Sequence, residues 1–313
     1  MGNISQRYCY GDRTLAAVTS SGFVVEPDFR MFGVNLARAF HRQKGVDLFL
    51  TTTAIESVGK IAQAFKCDAL PQVDYDTILF WALRPYGFSR AVMYKLDLGP
   101  TLSFVGSAAG SLLVAGDRVI RRRWPNSGRV SGLNVRAINA RDIGEDFDTL
   151  WAEKIRERPR LLADRSSTSL RWHFDVPGDK GSARVLCCYR GKELLGYAVV
   201  RHAPASKPTG LRRSLIADTF VKLDNPDAVK ALWSVAYDEA KRSGSDVLEI
   251  LGHPGEIRKN CLGWGPYLRR YPACPFYYRA DDLELHKDLL KGTAWYASPF
   301  DGDTTLWGLG ISD

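Results

Sequence analysis

The chain is poor in the residues that build metal and redox sites. Its 313 residues include six cysteines and five histidines. The cysteines stand at positions 9, 67, 187, 188, 261 and 274; none forms a C-x-x-C pair, and no Cys/His cluster has zinc spacing. That excludes a zinc module or a disulfide scaffold. Scattered thiols in a chain of this size read as buried side chains in a reducing compartment such as the cytoplasm. Long apolar runs are missing too. The longest, Leu102 to Gly116, is diluted by Gly and Ser, and it falls short of the ~20 residues that a membrane-spanning helix needs. With Arg121, Arg122 and Arg123 behind it, weak peripheral membrane contact is the most it suggests. The opening Met1-Gly2-Asn3-Ile4-Ser5-Gln6-Arg7 has no apolar segment and does not read as a signal peptide. Strong charge bias is absent as well. The net charge of +8 is spread along the chain, with 15 basic against 10 acidic residues up to position 125. Such an excess fits an anionic small ligand, and specific nucleic-acid binding is not expected.

What is present is an average globular composition, 45% hydrophobic and 25% charged, long enough for about two domains. The pattern along the chain predicts two related units. In the first, Ile4 to Tyr10 and Thr14 to Val25 read as strands around a Gly11-Asp12 turn. A helix follows from Gly33 to Gln43, then a buried strand from Val46 to Thr52 and a helix from Ile55 to Phe65. Cys67 to Val73 and Tyr75 to Leu83 close this unit as strands. The order is β-β-α-β-α-β-β. Residues 86 to 130, broken by Gly99-Pro100 and Trp124-Pro125-Asn126, read as a connection, with a boundary near 128. In the second unit a strand from Leu133 to Ile138 precedes helices at Asp142 to Arg156 and Ser166 to Phe174. Ala183 to Tyr189 and Glu193 to His202 form a hairpin around Gly191, and Ser214 to Leu223 is a third strand. Asn225-Pro226-Asp227 opens a helix running to Lys241. Val247 to Leu251, a helix from Pro254 to Leu262 and strands near Tyr271 to Tyr278 complete it. The expected division is 1–97, a linker at 98–128, and 129–313.

The most informative stretch is Val24-Val25-Glu26-Pro27-Asp28-Phe29-Arg30-Met31-Phe32-Gly33-Val34-Asn35-Leu36. A strand ends at Pro27, Arg30 and Gly33 stand three apart, and an amphipathic helix begins. Unpaired N–H groups at that helix start, with Arg30 beside them, suit a pyrophosphate. The stretch resembles the acyl-CoA loop of the GNAT superfamily of N-acetyltransferases, matching it at Val25, Pro27, Phe29, Arg30 and Gly33. The strand and helix order is also that family's, and the second half reads like another such unit. The whole is similar to tandem-GNAT proteins of bacterial acyltransferase type and, more distantly, to Fem-type transferases of cell-wall synthesis.

The resemblance implies an α/β fold of mixed sheets in two tandem GNAT-like units. It further implies acetyl-CoA or another acyl-CoA as co-substrate, and an amine on a small or cell-envelope precursor as acceptor. Its cofactor contacts would be Val24, Val25, Arg30, Phe32, Gly33, Val34 and Asn35. Asp218, mid-strand in the second unit, is the implied general base. Three departures accompany it. Asn35 replaces a small residue and would either crowd the pyrophosphate or cap the helix. Ala62 stands where many members carry an acidic tyrosine. The first unit also lacks an opening strand and two helices: either the start lies upstream of Met1, or the acceptor side of this unit is absent. In the second unit the turn Val221 to Asp227 is acidic and free of glycine, so it should repel a pyrophosphate. Cys187 and Cys188 read as structural thiols, and His253 as a minor candidate near an acceptor site. The ending Trp295 to Asp303 reads as a tight acidic turn that would close over the junction of the units.

Overall fold

The structure, a computed structural model, describes residues 1–97, 99–125, 131–176, 183–270 and 276–306. Its strands are β1 (Gly2–Tyr10), β2 (Arg13–Ser21), β3 (Leu48–Thr51), β4 (Asp68–Ala69), β5 (Thr77–Ala82), β6 (Asn134–Asn139), β7 (Leu161–Ala163), β8 (Ala183–Arg190), β9 (Glu193–His202), β10 (Arg213–Val221), β11 (Val247–Ile250), β12 (Tyr267–Arg270) and β13 (Tyr277–Ala280). Its helices are α1 (Gly33–His41), α2 (Glu56–Ala64), α3 (Pro85–Lys95), α4 (Pro100–Ile120), α5 (Glu145–Lys154), α6 (Ser167–Phe174), α7 (Pro226–Arg242), α8 (Gly255–Arg258) and α9 (Leu283–Leu289). Local chemistry accounts for many of the boundaries. The hairpins β1–β2 and β8–β9 turn on Gly11 and Gly191, both at positive φ, where a residue without Cβ carries no steric cost. At α7, the Asn225 side chain accepts from the N–H groups of Asp227 and Ala228, and Pro226 fills the first helical position.

Two mixed sheets result, and they exchange strands. One has the order β4-β13-β3-β2-β1-β7; the other is β12-β5-β11-β10-β9-β8-β6. Strand β5, from the first third of the chain, inserts between β11 and β12, antiparallel to both. Strand β13, from the end of the chain, pairs in turn with β3 and β4. The edge beside β1 is taken by β7, through Tyr8↔Ala163 to Tyr10↔Leu161. A division at 97 and 129 therefore separates stretches of chain but not sheets, because each sheet is completed by strands from across the cut. One apolar core runs through both, from Tyr8, Leu15 and Leu50 in the first sheet to Phe220, Trp233 and Leu248 in the second.

The supposed linker is mostly helical: α3 and α4 form an antiparallel pair, and α4 alone covers 21 residues. Gly106 and Gly110, within the stretch that read as a connection, are contact positions against α3. The boundary near 128 and the residues 271–275 of the expected closing strand lie outside the described residues. The strands found at that end are β12 and β13, and β2 ends at Ser21, short of Val25.

Candidate active site at the junction of the two sheets

In the first sheet, β2 and β3 run parallel only from Ala17↔Leu48 to Thr19↔Leu50. Beyond that pair the strands part, with the Ser20 and Thr51 hydroxyls 2.9 Å apart at the mouth. From β2 the chain passes through a 3-10 turn, Pro27–Phe32, that buries none of its residues, and enters α1 at Gly33. No side chain caps α1, but the helix continues directly from the 3-10 turn, whose Arg30 carbonyl accepts from the Gly33 N–H. Arg30 has no carboxylate partner among the described residues. Val24, Phe32 and Val34 are exposed, and a Cβ on Gly33 would meet only Phe23 and Val25, at 3.8 Å. The chain's own packing thus does not require that glycine. Asn35 accepts from Arg38 at 3.1 Å and does not cap the helix. The cleft between α1 and α2 holds about 20 Å³, lined by Phe23, Phe40, Val58 and Ala62 among others, room for about one water. Ala62 is buried there, and a phenol does come close, from another strand: Tyr277 of β13 packs its hydroxyl against Gly59 of α2.

The matching place in the second sheet is already occupied. Asp224, just before α7, binds Lys154 at 2.7 Å, Arg160 at 2.9 Å and Arg158 at 3.0 Å. A carboxylate of the chain itself thus holds the anion position at that helix start, with Leu223 and Asp224 both at positive φ. The ring of Tyr296 fills the space above and donates its hydroxyl proton to the Thr219 carbonyl at 2.7 Å.

Tyr296 belongs to a tail segment, 295–305, that runs between the sheets and bonds to both. Asp218 meets it from β10, where a register shift between Ile216 and Asp218 bends the strand. Asp218 is fully buried. It accepts from Arg165 at 3.0 and 3.2 Å, from the Tyr197 hydroxyl at 2.8 Å and from the Ser298 hydroxyl at 2.8 Å. Burial alone would push its carboxyl up, but the Arg165 guanidinium and these donors hold it below the usual range. With both oxygens engaged and a lowered pKa, Asp218 is a poor proton acceptor. Its carboxylate holds the Arg165 guanidinium. That guanidinium also reaches Asp301 at 3.1 Å, whose carboxyl burial pushes up despite the cation beside it.

Farther along the tail, Asp303 accepts from the Thr52 hydroxyl at 2.8 Å and the Thr53 hydroxyl at 3.0 Å, directly beyond the end of β3. Gly302, at φ +94, makes this approach possible, since a Cβ there would lie 2.2 Å from Thr52 Oγ1. Next to the tail lies a groove of about 640 Å³ between the β1–β2 hairpin and α6, lined by Arg7, Asp47, Asp164, Trp172, His173 and Phe300 among others. Phe300 and Asp303 are three residues apart, so groove and cleft mouth are within about 11 Å of each other.

Sequence reasoning placed an acidic tail at the junction but missed Arg165, Ser298 and Thr52, which have no local signature. His253 is fully buried at positive φ, with Nδ1 2.9 Å from the Leu251 carbonyl. Cys187 and Cys188 are buried, their thiols pushed up by burial to about 12 and about 11. Burial also brings His173 down to about 3 and His253 to about 4. Both imidazoles are neutral in the native state, so their contribution is fully present above the unfolded value of ~6.5 and is lost as pH falls below it. Denaturant melts from pH 7 to pH 4.5 should show stability falling by up to about 1.4 kcal/mol per pH unit for each. The raised Asp301 carboxyl takes up its proton early and opposes that trend. Flat stability over this window would contradict the buried neutral state.

No family model and no curated protein sequence matches this chain. Solved structures do. A GCN5-related N-acetyltransferase from Anabaena variabilis is similar over 89% of this chain, with a TM-score of 0.51 at 8% identity, and 58% of its own length is covered. An N-myristoyltransferase from Saccharomyces cerevisiae, solved with bound myristoyl-CoA and inhibitors, is similar over 89% with a TM-score of 0.53 at 16% identity; 64% of its length is covered. The chain thus spans about three fifths of each of these proteins. At such identities the likeness is one of fold, and the fold it establishes is that of the GCN5-related N-acetyltransferases, present here as two joined units.

Proposed function

We infer that the protein transfers an acyl group from acyl-CoA to an amine. The observation that carries this reading is the contrast between the two units. The cleft of the first lies beside the start of α1 with Arg30, which has no carboxylate partner among the described residues, while the second has its anion position filled by Asp224. The pyrophosphate would rest on Arg30 and on the N–H groups of Gly33, Val34 and Asn35 once the turn releases the Gly33 N–H from the Arg30 carbonyl, with Val24, Val25 and Phe32 along the pantetheine arm. Entry requires the turn at 27–32 to swing outward, which costs little because none of its residues is buried. The acceptor would come through the 640 Å³ groove. Asp303 would take the proton that the amine must lose once the tail shifts to free its oxygens from the Thr52 and Thr53 hydroxyls.

Calorimetry with acetyl-CoA and myristoyl-CoA tests the reading. Binding of at least one is expected, weakened about ten- to a hundredfold in Arg30→Ala, as for loss of a charge-assisted hydrogen bond. No heat with either ligand at millimolar concentration would leave a GNAT-fold protein without acyl-CoA chemistry.

A further inference from the structure

Helix α4 is built the wrong way round for a helix facing water. Of its 21 residues only Ser107 is buried. The side turned to α3 carries small residues: a Cβ on Gly106 would lie 2.6 Å from Met93 Sδ, and one on Gly110 3.2 Å from Ser89 Oγ. Gly106 and Gly110 form a G-x-x-x-G step that lets the two helices approach closely. The large apolar residues of the helix are left uncovered. Leu102, Phe104, Val105, Leu112, Leu113 and Ile120 are all between 58% and 83% exposed. Small residues at the helix contact and aliphatic ones outside is the packing used where the surroundings are lipid. An exposed apolar surface of this kind marks an interaction site.

The surrounding charge indicates what covers it. Arg84, Arg90, Lys95 and Arg122 lie on or next to α3 and α4, and none has a carboxylate partner among the described residues. Arg84, Arg90 and Arg212, together with one carboxylate, the buried Asp246, line a cavity of about 490 Å³ at the uncapped start of α3. A second copy of this chain would bring the same cations face to face. An anionic surface would neutralise them. Among the described residues no helix is long and apolar enough to cross a membrane, so α4 would lie in the interface.

We propose that the α3–α4 hairpin seats this protein on an anionic lipid surface, with the outer face of α4 in the acyl boundary and the arginines on headgroup phosphates. The inference is independent of the acyl-transfer reading. Vesicle flotation of the full chain tests it, using phosphatidylcholine alone and phosphatidylcholine doped with phosphatidylglycerol. Binding to the doped vesicles, falling with added salt, is the expected result. The double variant Leu112→Asp/Leu113→Asp should abolish flotation. Arg84→Gln/Arg90→Gln/Arg122→Gln should weaken it roughly a hundredfold on doped vesicles. All five positions are exposed, so unchanged thermal melts are expected and separate lost binding from lost folding. Equal flotation on both vesicle types, or none, would overturn the proposal. So would a dimer in sedimentation that the double Asp variant dissolves, since a second copy would then be the occupant.

Discussion

Replacing Arg165 by methionine is expected to destabilise the protein by about 3–5 kcal/mol, the usual cost of breaking a buried ion pair from one side. Its guanidinium serves Asp218 and Asp301 together, and all three side chains are at most 2% exposed. Without it, two carboxylates remain in the core with only hydroxyl donors and the Ser298 N–H. Against a total of roughly 5–15 kcal/mol for a domain, this is the largest single loss we expect. The effect carries a pH signature. In the variant, uncompensated burial raises both carboxyl pKa values above the unfolded value of ~3.9. The native state then takes up protons first, so the deficit should shrink as pH falls through that range. Arg165→Lys keeps the charge but loses the fork, and should fall in between. Urea melts of the three proteins at pH 7 and pH 5 measure this. A deficit below about 1 kcal/mol would mean that Arg165 does not hold the tail between the sheets.

For the proposed acyl transfer, Asp303→Asn should lower kcat by about 10²–10⁴ while leaving acyl-CoA affinity unchanged within about twofold. Asparagine retains an oxygen for the Thr52 and Thr53 hydroxyls, so the tail should stay in place. What it loses is the ability to accept a proton. Release of CoA thiol with a panel of amines reads the rate. Asp218→Asn is the internal comparison, because Asp218 is engaged by four hydrogen bonds, one of them from each of Tyr197 and Ser298. It should reduce stability, with activity lost only in proportion to unfolded protein. An Asp303 variant with full kcat would place the proton acceptor elsewhere.

Much of the architecture is readable locally. Strand alternation, the Gly11 and Gly191 hairpins and the Asn225 cap depend on residues within a few positions of one another, and the structure has them where the pattern puts them. The stretch at 86–130 misled because glycine was read as a breaker. In α4, Gly106 and Gly110 are instead demanded by a neighbour's side chains, Met93 and Ser89, and local sequence carries no record of a neighbour. Asp218 misled for the same reason. Its position mid-strand was visible, but Arg165 and Ser298, which tie up its oxygens, are 53 and 80 residues away.

The sequence alone therefore determined the fold class and most of the strands and helices outside 86–130. These follow from short-range periodicity. Tertiary structure decided which strands complete which sheet, that the tail lies between them, and that Asp303 reaches Thr52 across 251 residues. Those outcomes come from burying one shared core, in which each strand edge and each buried charge must find a partner wherever the chain supplies it.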